Sequence, residues 1–145
     1  MAGANFMMRI PPHNLEAEQA ILGGLMVDPY CCDQIVNIVL ESDFYKMAHQ
    51  KIFSAIQELY FKGSPVDIIT VSNLLSDQKS LEKIGGASYL AEVMNQTPTS
   101  AHIAVYARIV HERALLRKLI HVSGEIIEKS YGDSYTSVEA FLDEV

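Results

Sequence analysis

From Ala101 to Tyr131 the chain runs without a proline and carries apolar residues at helical spacing. An unbroken helix of that span is roughly 45 Å long at 1.5 Å per residue. The helices readable before it are a third to a half of that length. This run therefore predicts a helix that projects from a compact body. Ile109, Leu116, Ile120 and Ile127 form one stripe along it, and Ile103, Tyr106 and Val110 form another near its start. A helix that is apolar on several sides needs more than one partner. The stripe Ile109, Leu116, Ile120 and Ile127 is the candidate seam for self-association or another partner, because apolar area that a chain cannot cover itself marks an interaction surface. Arg113 and Arg117, with Lys118 beside them, form a candidate peripheral cationic face. It either meets an acidic partner or pairs in solvent with Glu112, where such pairs contribute little.

A returning arm follows. Thr136-Ser137-Val138-Glu139 reads as a capping box with Thr136 at the cap. Val138, Phe141, Leu142 and Val145 then begin an apolar stripe. It stops at Val145 with neither cap nor glycine, so this arm is expected to be cut short inside a helix. A long helix, a short loop and a returning helix make an αα-hairpin. The expected architecture is all-α: a helical bundle over residues 11–97, then a protruding hairpin over 98–145 whose second helix is truncated. Residues 1–10 read as a loose terminus.

Within the bundle, Pro11-Pro12 forbids helix up to His13. Asn14 then caps the first helix, with Glu16 and Glu18 favoured near its positive end. Gly23-Gly24 weakens this helix intrinsically and predicts close approach of a neighbouring element. Asp28-Pro29 reads as cap and first position of a helix over about Tyr30 to Leu40. Its β-branched Ile35, Val36, Ile38 and Val39 leave a strand as the alternative. His49, Ile52, Phe53, Ile56, Leu59 and Tyr60 follow helical spacing and end at Lys62-Gly63. Asp67 caps a helix carrying Ile68, Val71, Leu74 and Leu75. A short turn at Leu81 to Ile84 precedes Gly85-Gly86, and a last helix carries Tyr89, Leu90, Val93 and Met94 before Thr97-Pro98 closes it.

Chemistry is sparse in these residues. The net charge is −7, with six Lys/Arg against eleven Asp/Glu in residues 1–100 and five against seven in 101–145. No segment is basic, so phosphate neutralisation offers little basis for nucleic-acid binding. The glycine-rich phosphate loop with its Lys-Ser/Thr ending is absent from the sequence, which argues against ATP hydrolysis by these residues and for no cofactor in them. His13, His49, His102, His111 and His121 lack metal-ligand spacing, so no metal site is expected. His49 is expected at the edge of the core. Glu16 and Glu18 diverge on their helix, which favours capping over acid/base work. No catalytic residue is assigned. Adjacent Cys31 and Cys32 at a helix start point to reduced thiols, with plain burial favoured over a lowered thiol pKa. No apolar run reaches the ~20 residues of a membrane span. Residues 1–9 lack the pattern of a signal peptide, so a cytoplasmic setting is expected.

Two other classes stay open. One is a helix-turn-helix module over Asp67–Ser76 and Leu81–Met94. Its recognition helix opens with Gly86, Ala87 and Ser88, where basic residues are expected. The other is a small all-α enzyme, for which a deep polar pocket is the missing sign.

The string Pro11-Pro12-His13-Asn14-Leu15-Glu16-Ala17-Glu18-Gln19-Ala20-Ile21-Leu22-Gly23-Gly24 resembles the opening signature of bacterial replicative DNA helicases of the DnaB type. Ser42-Asp43-Phe44-Tyr45, His49 to Ile56, Gly63 to Thr70, Gly85 to Glu92 and Thr97 to Ile103 are similar to further family segments in the same order. The likeness covers roughly residues 10 to 145. It implies the amino-terminal domain, with the motor domain and its ATP and Mg in a part absent from this chain. The family's domain forms a collar on a hexameric ring, dimerises hairpin against hairpin into a trimer of dimers, and docks primase. A helicase loader is a further candidate partner. DNA contact and 5′ to 3′ unwinding are implied only through the absent motor.

Overall fold

The computed structural model describes residues 9–97 and 99–145. The expected loose terminus falls mostly on residues 1–8, and the expected helix stop on Pro98. Both lie outside the described residues. Eight α-helices and one 3₁₀ turn make up the described chain, with no strand. They are α1 (Leu15–Val27), α2 (Cys31–Ile35), the 3₁₀ turn (Glu41–Asp43), α3 (Met47–Phe61), α4 (Ile68–Asp77), α5 (Leu81–Ile84), α6 (Gly86–Asn95), α7 (Ile103–Tyr131) and α8 (Val138–Glu144).

Helix α1 is the centre of the bundle, packed against α7, α6 and α3. Asn14 caps it by accepting the Ala17 N–H at 3.0 Å. Its two glycines have the predicted reason. A Cβ on Gly23 would stand 2.7 Å from the Val93 carbonyl oxygen and overlap the Thr97 side chain. A Cβ on Gly24 would meet Ile103 Cδ1 at 3.1 Å. The missing side chains let α6 and the start of α7 lie directly on α1. Ile21, Leu22 and Leu25 are sealed there with Ile52, Phe53, Ile56, Val71, Leu75, Leu90 and Val93.

Several terminators act as their residue types demand. Helix α3 ends with Gly63 at φ +76°, and the N–H groups of Gly63 and Ser64 return to the carbonyls of Tyr60 and Leu59. Asp67 and Thr70 exchange hydrogen bonds across the first turn of α4, at 2.8 and 2.9 Å. Gly85 at φ +108° divides α5 from α6.

Three boundaries differ from expectation. The helix expected to reach Leu40 ends at Ile35. Ile38 then turns back onto the Ile35 carbonyl at 2.9 Å, and Ile35 and Val39 are both buried in the core. Asp43 fastens that bend by accepting the Leu40 N–H at 2.9 Å. The cap of α2 is Tyr30 and not Asp28, whose carboxylate accepts a hydrogen bond from the Cys31 thiol instead. The cap of α8 is Ser137 and not Thr136: its hydroxyl accepts the Ala140 N–H at 3.1 Å.

Candidate functional site

The first turns of α7 belong to the core. Ile103, Ala107 and Val110 are buried against α1 and α2. At His111 the helix meets the 3₁₀ turn, where Nδ1–H donates to Asp43 Oδ2 at 2.9 Å. At Arg117 the guanidinium donates to two backbone carbonyls, Pro12 at 2.8 Å and Asp43 at 2.6 Å. It also lies 5.4 Å from the Tyr45 ring centre. Beyond Arg117, no hydrogen bond among the described residues joins α7 to the bundle.

The distal half of α7 exposes apolar side chains that the other described residues leave largely uncovered. Leu119 is 62% exposed, Ile127 50% and Leu116 45%. The returning α8 covers little of it. Phe141 is buried, stacked on Tyr135 with centroids 5.3 Å apart, while Val138 and Leu142 face solvent. One Lys129–Glu144 ion pair at 3.8 Å links the two arms, and both side chains are exposed.

The six residues singled out from the sequence do not share one surface. Ile109 is half-buried against the bundle core. Arg113 is half-buried, and Arg117 is spent on the carbonyls of Pro12 and Asp43 instead of forming a free cationic face with Lys118. Leu116, Ile120 and Ile127 are the exposed members. Ile120 and Ile127 line a groove of about 800 Å³ whose other wall is Arg9, Ile10 and Pro11. Sequence reasoning missed a second exposed stripe, Leu115, Leu119 and Val122. Its i, i+4, i+7 spacing was available as a signal.

A second constellation lies inside the bundle. Glu18 and His49 are both fully buried, with His49 Nδ1–H donating to Glu18 Oε1 at 2.8 Å. Glu18 also accepts the Tyr45 N–H at 2.7 Å, just ahead of α3. Tyr89 OH stands 2.6 Å from His49 Nε2 and accepts from Gln19 Nε2 at 3.2 Å. The simplest proton arrangement runs Gln19 to Tyr89 to His49 to Glu18, each donating to the next. Glu18 keeps its first-turn place and does more than the expected capping: it joins α1 to the start of α3. His49 lies within the core and not at its edge. The carboxylate–imidazole–hydroxyl order resembles a proton relay, but it does not line the α7 groove or the smaller one between Tyr30, Tyr60 and Val66. It holds three helices together.

The thiols are packed, not activated. Burial, followed by the negative charge of Asp33, pushes Cys32 up to about 12, and burial also raises Cys31. Among the described residues no three His, Cys, Asp or Glu side chains converge as metal ligands. No described helix is long and apolar enough to cross a membrane.

Residues 10–112 match the family described as the DnaB-like helicase N terminal domain. The chain belongs to this family. It is 43% identical over 142 residues to the replicative DNA helicase DnaB of Geobacillus stearothermophilus, covering 96% of this chain and 30% of that protein. It is 42% identical over 123 residues to the replicative DNA helicase DnaC of Bacillus subtilis, covering 85% and 27%. The chain thus spans less than a third of the length of these curated relatives. Its fold matches the crystal structure of the N-terminal domain of DnaB helicase from Mycobacterium tuberculosis, with a TM-score of 0.87 and 36% identity over 93% of this chain and 94% of that one. A DnaB-like replicative helicase, solved with its interactions with primase as the subject, matches with a TM-score of 0.73 and 25% identity, covering 90% of this chain and 31% of that one. The all-α fold expected of a DnaB-like N-terminal domain is the fold found.

Proposed function

We propose that this chain is the amino-terminal collar domain of a hexameric replicative DNA helicase. It holds subunits together and presents a docking surface for primase. The observation that carries this reading is the bare apolar half of α7. Leu115, Leu116, Leu119, Ile120, Val122 and Ile127 remain exposed, on the half of the helix that the other described residues leave largely uncovered. Apolar area of that kind on a protruding element favours burial against a second copy. We assign Leu116, Ile120 and Ile127 to the seam, with Leu119 flanking them and Arg113 at its rim. Ile109 supports the helix from the bundle side.

The longer protein is proposed to be an ATP-dependent helicase moving 5′ to 3′ in the cytoplasm. ATP and Mg would be held by a motor domain that also contacts DNA, and a helicase loader is a further candidate partner. The acidic balance of this domain, −7, suits a structural collar better than a DNA-binding module.

Sedimentation velocity tests the reading, with the chain alone and mixed with the carboxy-terminal domain of its own primase. A dimer alone and a heavier species in the mixture support it. Leu116→Asp should then shift the dimer to monomer with helical content unchanged. A parent chain that stays monomeric at high concentration and ignores primase would overturn both roles.

A further inference from the structure

We propose that Arg117, supported by His111, is a positioning residue that clamps α7 to the bundle and fixes the direction in which its apolar distal half leaves the body. Three segments distant in sequence converge at this point: the backbone at Pro11–His13, the 3₁₀ turn with Asp43 to Tyr45, and the middle of α7. Arg117 bridges the first two through their carbonyls, at 2.8 Å to Pro12 and 2.6 Å to Asp43. Its guanidinium lies over Tyr45, whose ring stacks on His13 with centroids 4.3 Å apart. One turn and a half earlier, His111 grips the Asp43 carboxylate, which is itself held by the Leu40 N–H. Two attachments spaced along one helix fix its orientation as well as its position.

The chemistry is specific to arginine. A planar fork reaches two carbonyls at once and stacks on an aromatic face, while a lysine ammonium is a single mobile point charge. Fourteen residues of α7 lie beyond the clamp, from Lys118 to Tyr131. That lever is about 21 Å long, so a tilt of roughly 15° at the clamp displaces its tip by about 5 Å. Close-packed interfaces do not absorb such displacement. The clamp would thus set the geometry in which copies meet without touching the partner. This consequence for assembly rests on the collar reading; the clamp itself does not.

Double electron–electron resonance tests the clamp in the full 145-residue chain. Spin labels go on Lys83→Cys in α5 and Ser130→Cys near the end of α7, both exposed positions. Buried Cys31 and Cys32 should resist labelling, and the chain lacking introduced cysteines sets the background. Labelled chains are diluted into excess unlabelled chain so that only distances within one chain are read. The parent should give one narrow distance. Arg117→Gln and Arg117→Lys should both broaden it by about 5 Å or more, by the lever estimate, with helical circular dichroism unchanged. Failure of lysine to rescue separates the fork from simple charge. Widths equal to the parent's in both variants would overturn the clamp, as would full rescue by lysine. If the Arg117 variants unfold, His111→Gln carries the same test: broadening supports the clamp and an unchanged width overturns it. A monomeric parent in the centrifuge would defeat the assembly role and leave these distances standing.

Discussion

His49 Nδ1 stands 2.8 Å from Glu18 Oε1, and neither side chain is reached by solvent. The pair ties α1 to α3, and Tyr89 on the imidazole's far side adds α6. Removing one partner of such a pair is more harmful than removing both, because it leaves a buried polar or charged group alone. His49→Leu should therefore destabilise the chain by about 3–5 kcal/mol. The double change Glu18→Gln/His49→Leu should cost less than the sum of its parts. Urea unfolding of the four chains gives the coupling directly. Strict additivity would show that the two groups act independently.

The glycines predict opposite signs for the same substitution. Gly23→Ala places a Cβ 2.7 Å from the Val93 carbonyl, a backbone atom that cannot turn aside. Overpacking of this kind should destabilise by about 1–3 kcal/mol despite the better helix propensity. At Gly124, in the distal half of α7, an added Cβ meets nothing within 4 Å. Gly124→Ala should stabilise by up to about 1 kcal/mol. Thermal melts of the two variants decide it. Equal shifts of the same sign would mean that helix propensity alone governs both sites.

Cys32 and Tyr60 predict a loss of stability on the alkaline side. Burial lifts the Cys32 thiol from 9.0 to about 12, and donation to Asp33 lifts the Tyr60 hydroxyl from 10.0 to about 12. The folded chain thus keeps protons that the unfolded chain has released. The contribution of Cys32 is full below about pH 9, and that of Tyr60 below about pH 10. Both are lost as pH rises towards 12. The melting temperature of the parent should fall across this window. Cys32→Ala and Tyr60→Phe should each flatten the slope, whatever they do to the baseline. A slope indifferent to both changes would refute the assignment.

Local rules made much of the bundle legible. Asn14, Asp67, Gly63 and Gly85 act through their own backbone neighbourhood, so their roles are written in adjacent residues. Gly23-Gly24 announced a close neighbour but not which one, since Val93, Thr97 and Ile103 lie far along the chain. The end of α2 is not legible in sequence, because its β-branched run satisfies helix and turn alike. The bend is fastened by Asp43, which accepts the Leu40 N–H from beyond the run. In sequence Glu18 is only a first-turn carboxylate suited to capping, because its partners Tyr45 and His49 arrive from a distant segment. For the same reason Arg117 read as a surface charge. Periodicity placed the apolar stripes on α7 but could not tell which stretch of a long helix the bundle covers.

That division of α7 yields the last prediction. Ile109 is half-buried on the bundle side, whereas Leu119 is 62% exposed on the bare distal half. A carboxylate at Leu119 stays in water and should leave the monomer's melting temperature within about 1 °C, as surface changes usually do. Leu119→Asp should nevertheless abolish self-association, because a second copy would have to bury that charge. Ile109→Asp should do the reverse in order of effect. It should lower stability by about 2–4 kcal/mol through a charge forced against the core, and lose association only as the fold is lost. Sedimentation and thermal melting on the same two samples separate the outcomes. If Leu119→Asp associates like the parent, copies do not meet on that face. If Ile109→Asp melts like the parent, α7 is not seated on the bundle at that point.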